Sequence, residues 1–101
     1  QHAGRVTKTG LMEIESRRQN GSWLVEVRGE IDFGNIEVLK AELEGQGNHP
    51  IVLDLSDVEY MDISGITLLV ATAGRLTLRG VSPPVERLIR TCELQTEFKF
   101  A

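Results

Sequence analysis

Cysteine is almost absent from this chain. Cys92 is the only one, so no intramolecular disulfide can form and a thiolate zinc cluster is excluded. Histidine is scarce too: His2 sits in the leading segment and His49 precedes Pro50 in a turn, which leaves no ligating or catalytic pair. Positive charge is in deficit, with 11 Lys and Arg against 15 Asp and Glu, a formal net charge of -4 and a pI near 5.1. The basic residues form no stripe, so the charge that nucleic-acid binding draws on is missing and no nucleic-acid partner is expected. No apolar run approaches the roughly 20 residues of a membrane span, and no secretory-signal pattern opens the sequence. No glycine-rich phosphate loop is present either, because Gly45-Gln46-Gly47 closes a helix instead of preceding one. No metal and no cofactor are therefore expected, nor membrane association, and the setting is read as a reducing cytoplasm.

What is present suits a single domain spanning residues 1–101. Hydrophobic residues make up 41% and charged residues 26%, enough apolar material for one core. Gln1-His2-Ala3-Gly4 has no periodicity, and residues 1–10 read as a flexible or cloning-derived lead. Met12 and Ile14 alternate with Glu13 and Glu15, the period of a half-buried strand. Asn20-Gly21 signals a two-residue hairpin, since both residues tolerate positive φ. Trp23, Val25 and Val27 alternate through a second strand, which should pair antiparallel with the first.

Asn35 reads as the N-cap of a helix carrying Ile36, Leu39 and Leu43 on one face, and Pro50 prevents its continuation. Ile51-Val52-Leu53 is a run of β-formers, expected to be a central strand covered on both faces. Asp54 to Asp62 reads as a polar turn, and Ser64-Gly65 opens a nearly all-apolar helix that gives out near Ala73. Leu76 and Leu78 mark another strand. Ser82-Pro83-Pro84 then starts a helix with a hydroxyl cap and proline in its first turn. Val85, Leu88, Ile89 and Cys92 line one face of it, and Phe98 and Phe100 suggest a last short strand. The order is β-β-α-β-α-β-α with a final β optional. Its two crossovers predict an α/β domain, a mixed, mostly parallel sheet with helices packed on it.

A hydroxyl at the start of a helix, among backbone N–H groups with no intrahelical acceptor, is a natural place for a phosphate. From spacing alone Ser64 reads first as an ordinary helix cap, and a cap can also accept a phosphate. Asp54 after a strand superficially matches a receiver-type phosphoaspartate. That chemistry needs an acidic pair after the first strand to hold magnesium, and residues 11–16 supply none in the right context.

Asp54-Leu55-Ser56-Asp57-Val58 followed by Asp62-Ile63-Ser64-Gly65 resembles the strand-turn-serine-glycine signature of the STAS family. The likeness runs from Gly29-Glu30-Ile31-Asp32 to the Val81–Leu94 segment. It implies an anti-sigma factor antagonist, a binding module and not an enzyme, that sequesters an anti-sigma factor and frees a sigma factor. The anti-sigma factor would be an ATP-binding serine kinase that phosphorylates Ser64 and so is released, and a PPM-type phosphatase would reverse the modification. The partner surface would comprise Glu30, Asp32 and Phe33 with Asp62, Ile63, Ser64, Gly65 and Ile66. The chain departs from the common Asp-Ser-Ser-Gly pattern in having Ile63, which leaves one hydroxyl at the tip. It also runs from Ala73 almost directly into Leu76, where family members carry a longer helix and loop. The family also includes scaffold and transporter-associated domains that bind proteins or a nucleotide without phosphoregulation.

Overall fold

The computed structural model describes residues 4–101. Its elements are β1 (Arg5–Thr9), β2 (Met12–Gln19), β3 (Ser22–Ile31), α1 (Ile36–Glu44), β4 (Ile51–Met61), α2 (Ile63–Ala71), β5 (Leu76–Arg79), α3 (Pro83–Thr91) and β6 (Lys99–Phe100). The strands form one sheet in chain order, β1-β2-β3-β4-β5-β6. The first three are antiparallel, and β3 to β6 run parallel. Asn20 (φ 53°) and Gly21 (φ 82°) make the predicted two-residue turn between Gln19 and Ser22.

Alternation along the strands decides which face is dry. Met12, Ile14, Val25, Val27, Leu53, Leu55 and Leu78 point to one side and are buried there with Leu39, Leu43, Ile66, Leu69, Val85 and Ile89 from the helices. The three crossovers all step the same way along the sheet, and right-handed connections then put every helix on that one face. Each fully buried Leu or Ile contributes about 1.5–3 kcal/mol.

The other face carries no helix, and charge keeps it soluble. Arg28 bridges Glu13 (3.4 Å) and Glu15 (3.0 Å), Arg17 bridges Glu15 (3.6 Å) and Glu26 (3.4 Å), and Arg79 bridges Glu26 (3.9 Å) and Asp54 (3.0 Å). The charges alternate in sign across β2 to β5. Exposed pairs of this kind are worth about 0–1 kcal/mol each, so the network mainly makes an uncovered sheet face compatible with water.

Five expectations change: the leading segment, the coverage of the central strand, the polar turn, and the Asn35 and Ser82 caps. Residues 5–9 are not a loose lead: they form β1, and Arg5 donates at 2.7 Å to the buried Glu42 carboxylate, which also accepts the Ser16 hydroxyl at 2.7 Å. Gln1, His2 and Ala3 lie outside the described residues. The central strand is covered on one face only, and β4 runs on through the supposed polar turn to Met61. Its polar residues are those of an uncovered face, shifted by irregularities opposite Glu26/Arg28 and Gly29/Glu30. Asn35 makes no capping hydrogen bond, and the Ser82 hydroxyl donates to the Val58 carbonyl at 2.6 Å instead of capping α3. The second helix spans Ile63–Ala71, and one 3-10 turn at Ala73–Arg75 carries the chain straight into β5. The Arg75 guanidinium donates to the Leu43 carbonyl at 3.2 Å, closing the end of α1.

Gly29, at φ 93°, lies so close to the β1–β2 turn that a Cβ would overlap the Leu11 carbonyl oxygen. Gly29→Ala should therefore cost about 3 kcal/mol in urea denaturation, from the left-handed backbone and the clash together. A loss under about 1 kcal/mol would contradict this close approach.

Burial pushes the Asp54 carboxyl up. Hydrogen bonds from the Ser56 hydroxyl and amide and from Arg79 outweigh that and hold it below the usual carboxylate value. A carboxyl lowered on folding gives stability that is complete above its unfolded value and is lost as pH falls through the folded one. Asp54→Asn should cost on the order of 1 kcal/mol near neutrality. The difference from wild type should close as pH falls below about 4. A pH-independent cost in urea melts would show that the charge is not what matters.

Candidate functional site

The parallel strands β3, β4 and β5 end on one side of the sheet, and each passes there into a helix. The first turns of α1, α2 and α3 therefore gather at one end, where open α/β sheets present their binding loops. The β3–α1 and β4–α2 loops are adjacent because their strands pair to the last residue, Ile31 with Met61. The Asp62 amide then donates to the Ile31 carbonyl at 3.1 Å.

Asp62, not Ser64, caps α2. Its extended backbone (φ -98°, ψ -174°) leaves the helix beginning at Ile63, and its carboxylate accepts the Ser64 N–H at 2.8 Å. The other oxygen of the same carboxylate accepts the Phe33 N–H at 2.9 Å. Ser64 is thus the second residue of the helix, half-buried, and its hydroxyl has no hydrogen-bond partner among the described residues.

Gly65 is required by packing and not by its backbone angles. A Cβ here would collide with the Met61 side chain and come within 3.2 Å of Ile31 Cγ2, so α2 could not settle as closely on the sheet. Ile63 projects outward at 61% exposure and Phe33 at 81%, an unusual outlay of apolar surface on so small a tip. Thr67 and Val70 continue the outward side of α2 from Ile63, with Val70 at 43% exposure.

The fold brings Glu30, Asp32, Phe33, Asp62, Ile63 and Ser64 together at this end. It does not bring out Gly65 or Ile66: Gly65 is buried on the inner side of α2, and Ile66, 3% exposed, belongs to the core. Spacing alone does not separate Ile66 from the outer stripe, since it lies only three residues from Ile63; the packing of α2 on the sheet turns that flank inward. Sequence reasoning did not single out Thr67 and Val70, although their spacing of four and seven from Ile63 would have marked the outer stripe. Tyr60 is also exposed here, paired across the strands with Glu30. Asp54 lies within β4 and not at its end, and it is held by Arg79 and Ser56, away from this tip. Among the described residues no group of three or more His, Cys, Asp or Glu is placed to hold a metal ion, and no helix is long and apolar enough to cross a membrane.

Comparison with known proteins is consistent with this architecture. A curated anti-sigma F factor antagonist of Paenibacillus polymyxa is 27% identical over 90 residues, covering 77% of this chain and 76% of the relative. Among solved structures, an anti-sigma factor antagonist from Mycobacterium paratuberculosis superposes with a TM-score of 0.80 at 24% identity, over 88% of this chain and 84% of that one. The unphosphorylated form of the anti-sigma factor antagonist SpoIIAA gives 0.64 at 20% identity, over 98% of this chain and 88% of its own. The likeness to these structures is one of fold. The STAS domain model matches residues 13–101, from β2 through to the last residue. The chain belongs to the STAS domain family.

Proposed function

We propose that this chain is an anti-sigma factor antagonist whose hold on its partner is switched at Ser64. The observation that carries the reading is the state of Ser64 itself. Its N–H is occupied by Asp62, while its hydroxyl, in the first turn of α2 near the exposed Ile63 and Phe33, has no hydrogen-bond partner among the described residues. The curated relative is an anti-sigma factor antagonist, which fits the same reading. The domain works by binding and not by catalysis.

The switch is electrostatic. A phosphate on Ser64 adds about -1.5 to -2 charges at pH 7. The helix start can stabilise that charge, so the domain survives the modification. A partner packed on Ile63 and Phe33 would have to bury the same dianion, at a cost far above what a small interface can offset. The anti-sigma factor is then an ATP-binding serine kinase that modifies Ser64, and a PPM-type phosphatase restores the hydroxyl. Glu30, Asp32 and Phe33 flank the contact, and the outward side of α2 extends it.

Incubation with a cognate anti-sigma kinase and ATP should add one phosphate to the wild type and none to Ser64→Ala, read by intact mass. A phosphate that persists in Ser64→Ala would overturn the assignment. Ser64→Asp should weaken the complex with the anti-sigma factor at least about tenfold while shifting the melting temperature by less than about 4 °C, which corresponds to under 1 kcal/mol for a domain of this size. Equal affinity in calorimetry, or a large loss of stability, would contradict the switch.

A further inference from the structure

Phe33 is 81% exposed, yet the backbone beneath it is held from three directions. The Asn35 side chain, itself 6% exposed, accepts the Asp32 N–H at 2.9 Å and donates to the Glu30 carbonyl at 2.9 Å. The Asp32 carboxylate accepts the N–H groups of Gly34 at 2.9 Å and Asn35 at 3.2 Å. The third hold is Asp62, from the neighbouring loop. A ring displayed to water on a fixed backbone has already lost the conformational freedom that a mobile loop would surrender on binding.

A helix cap needs one acceptor oxygen, and Ser or Asn would supply it. Asp62 supplies two, and the second reaches a residue 29 positions away that has no part in the helix. Both bonds are to a carboxylate, the stronger class of hydrogen bond. We propose that Asp62 is a positioning residue for the partner face. Its single carboxylate fastens the Phe33 loop to the first turn of α2, so that Phe33 and Ile63 meet a partner as one preformed surface. Asp62 acts through Phe33. This inference rests on the reading of the tip as the partner face.

The test begins on the isolated protein. Asp62→Ser keeps a capping oxygen but has none to reach Phe33, so Phe33 amide exchange should quicken about tenfold or more while Ser64 stays protected. Asp62→Asn keeps the shape of the side chain and guards against a folding defect; with one acceptor oxygen left, exchange must quicken at Phe33 or at Ser64. With the anti-sigma factor, Asp62→Ser should bind about tenfold more weakly, and adding it to Phe33→Ala should weaken binding little further, because both act through one contact. Unchanged Phe33 exchange in both variants, or additive losses in the double variant, would overturn the positioning role and leave the proposed function standing. Failure of the wild type to bind any anti-sigma factor would overturn the function, with the amide results unaffected.

Discussion

The Asp62 carboxylate accepts the backbone N–H of Phe33, 29 positions before it, and that of Ser64, two positions after it, and the exposed end of the molecule takes its shape from that pair of bonds. One bond starts α2 at Ile63 and sets Ser64 in the first turn. The other fixes the backbone under Phe33. The pairing of Ile31 with Met61 brings the two loops within reach, and the absence of a side chain at Gly65 lets α2 settle closely against Met61 and Ile31. Sheet register, helix packing and cap geometry therefore converge on a few residues. A substitution at any of them acts on the same surface.

The rest of the fold supplies a one-sided platform. All three helices lie on the apolar face, so their first turns face the same way and sit at the same end. The opposite face is left to an ion-pair chain running from Glu13 to Asp54, which replaces a second helical layer with self-compensated charge. Exposed apolar side chains also occur at Val6, Leu11 and Phe100, but Phe33, Ile63 and Val70 stand together around Ser64. Such separation of a paired charged face from an apolar tip suits a domain that binds through one end.

Much of this was legible in the residues. Asn20-Gly21 dictates its hairpin through positive φ, and the spacing of Val85 and Ile89 dictates the buried face of α3. The strand–helix alternation gives the parallel crossovers, and the Ser64-Gly65 pair marks the tip. The misses share a cause: polar alternation on an uncovered sheet face looks like a turn. Asp54, Ser56, Asp57 and Glu59 are strand residues whose side chains face water or one another, and Arg5–Thr9 is an edge strand with only one large apolar residue, Val6. Caps were misplaced for a different reason. Asn35, Asp62, Ser64 and Ser82 are all competent caps in isolation, and only the tertiary neighbours decide which oxygen turns to which N–H.

The central claim is that this chain meets an anti-sigma factor through the tip around Ser64 and not through its charged sheet face. Hydrogen exchange read by mass spectrometry, comparing the free chain with its complex with a cognate anti-sigma factor, tests it most directly. The account predicts new protection over residues 30–34 and 62–70, with the segments bearing Glu13, Glu26 and Arg79 unchanged. Protection centred on those charged strands, with residues 62–70 unaffected, would contradict it.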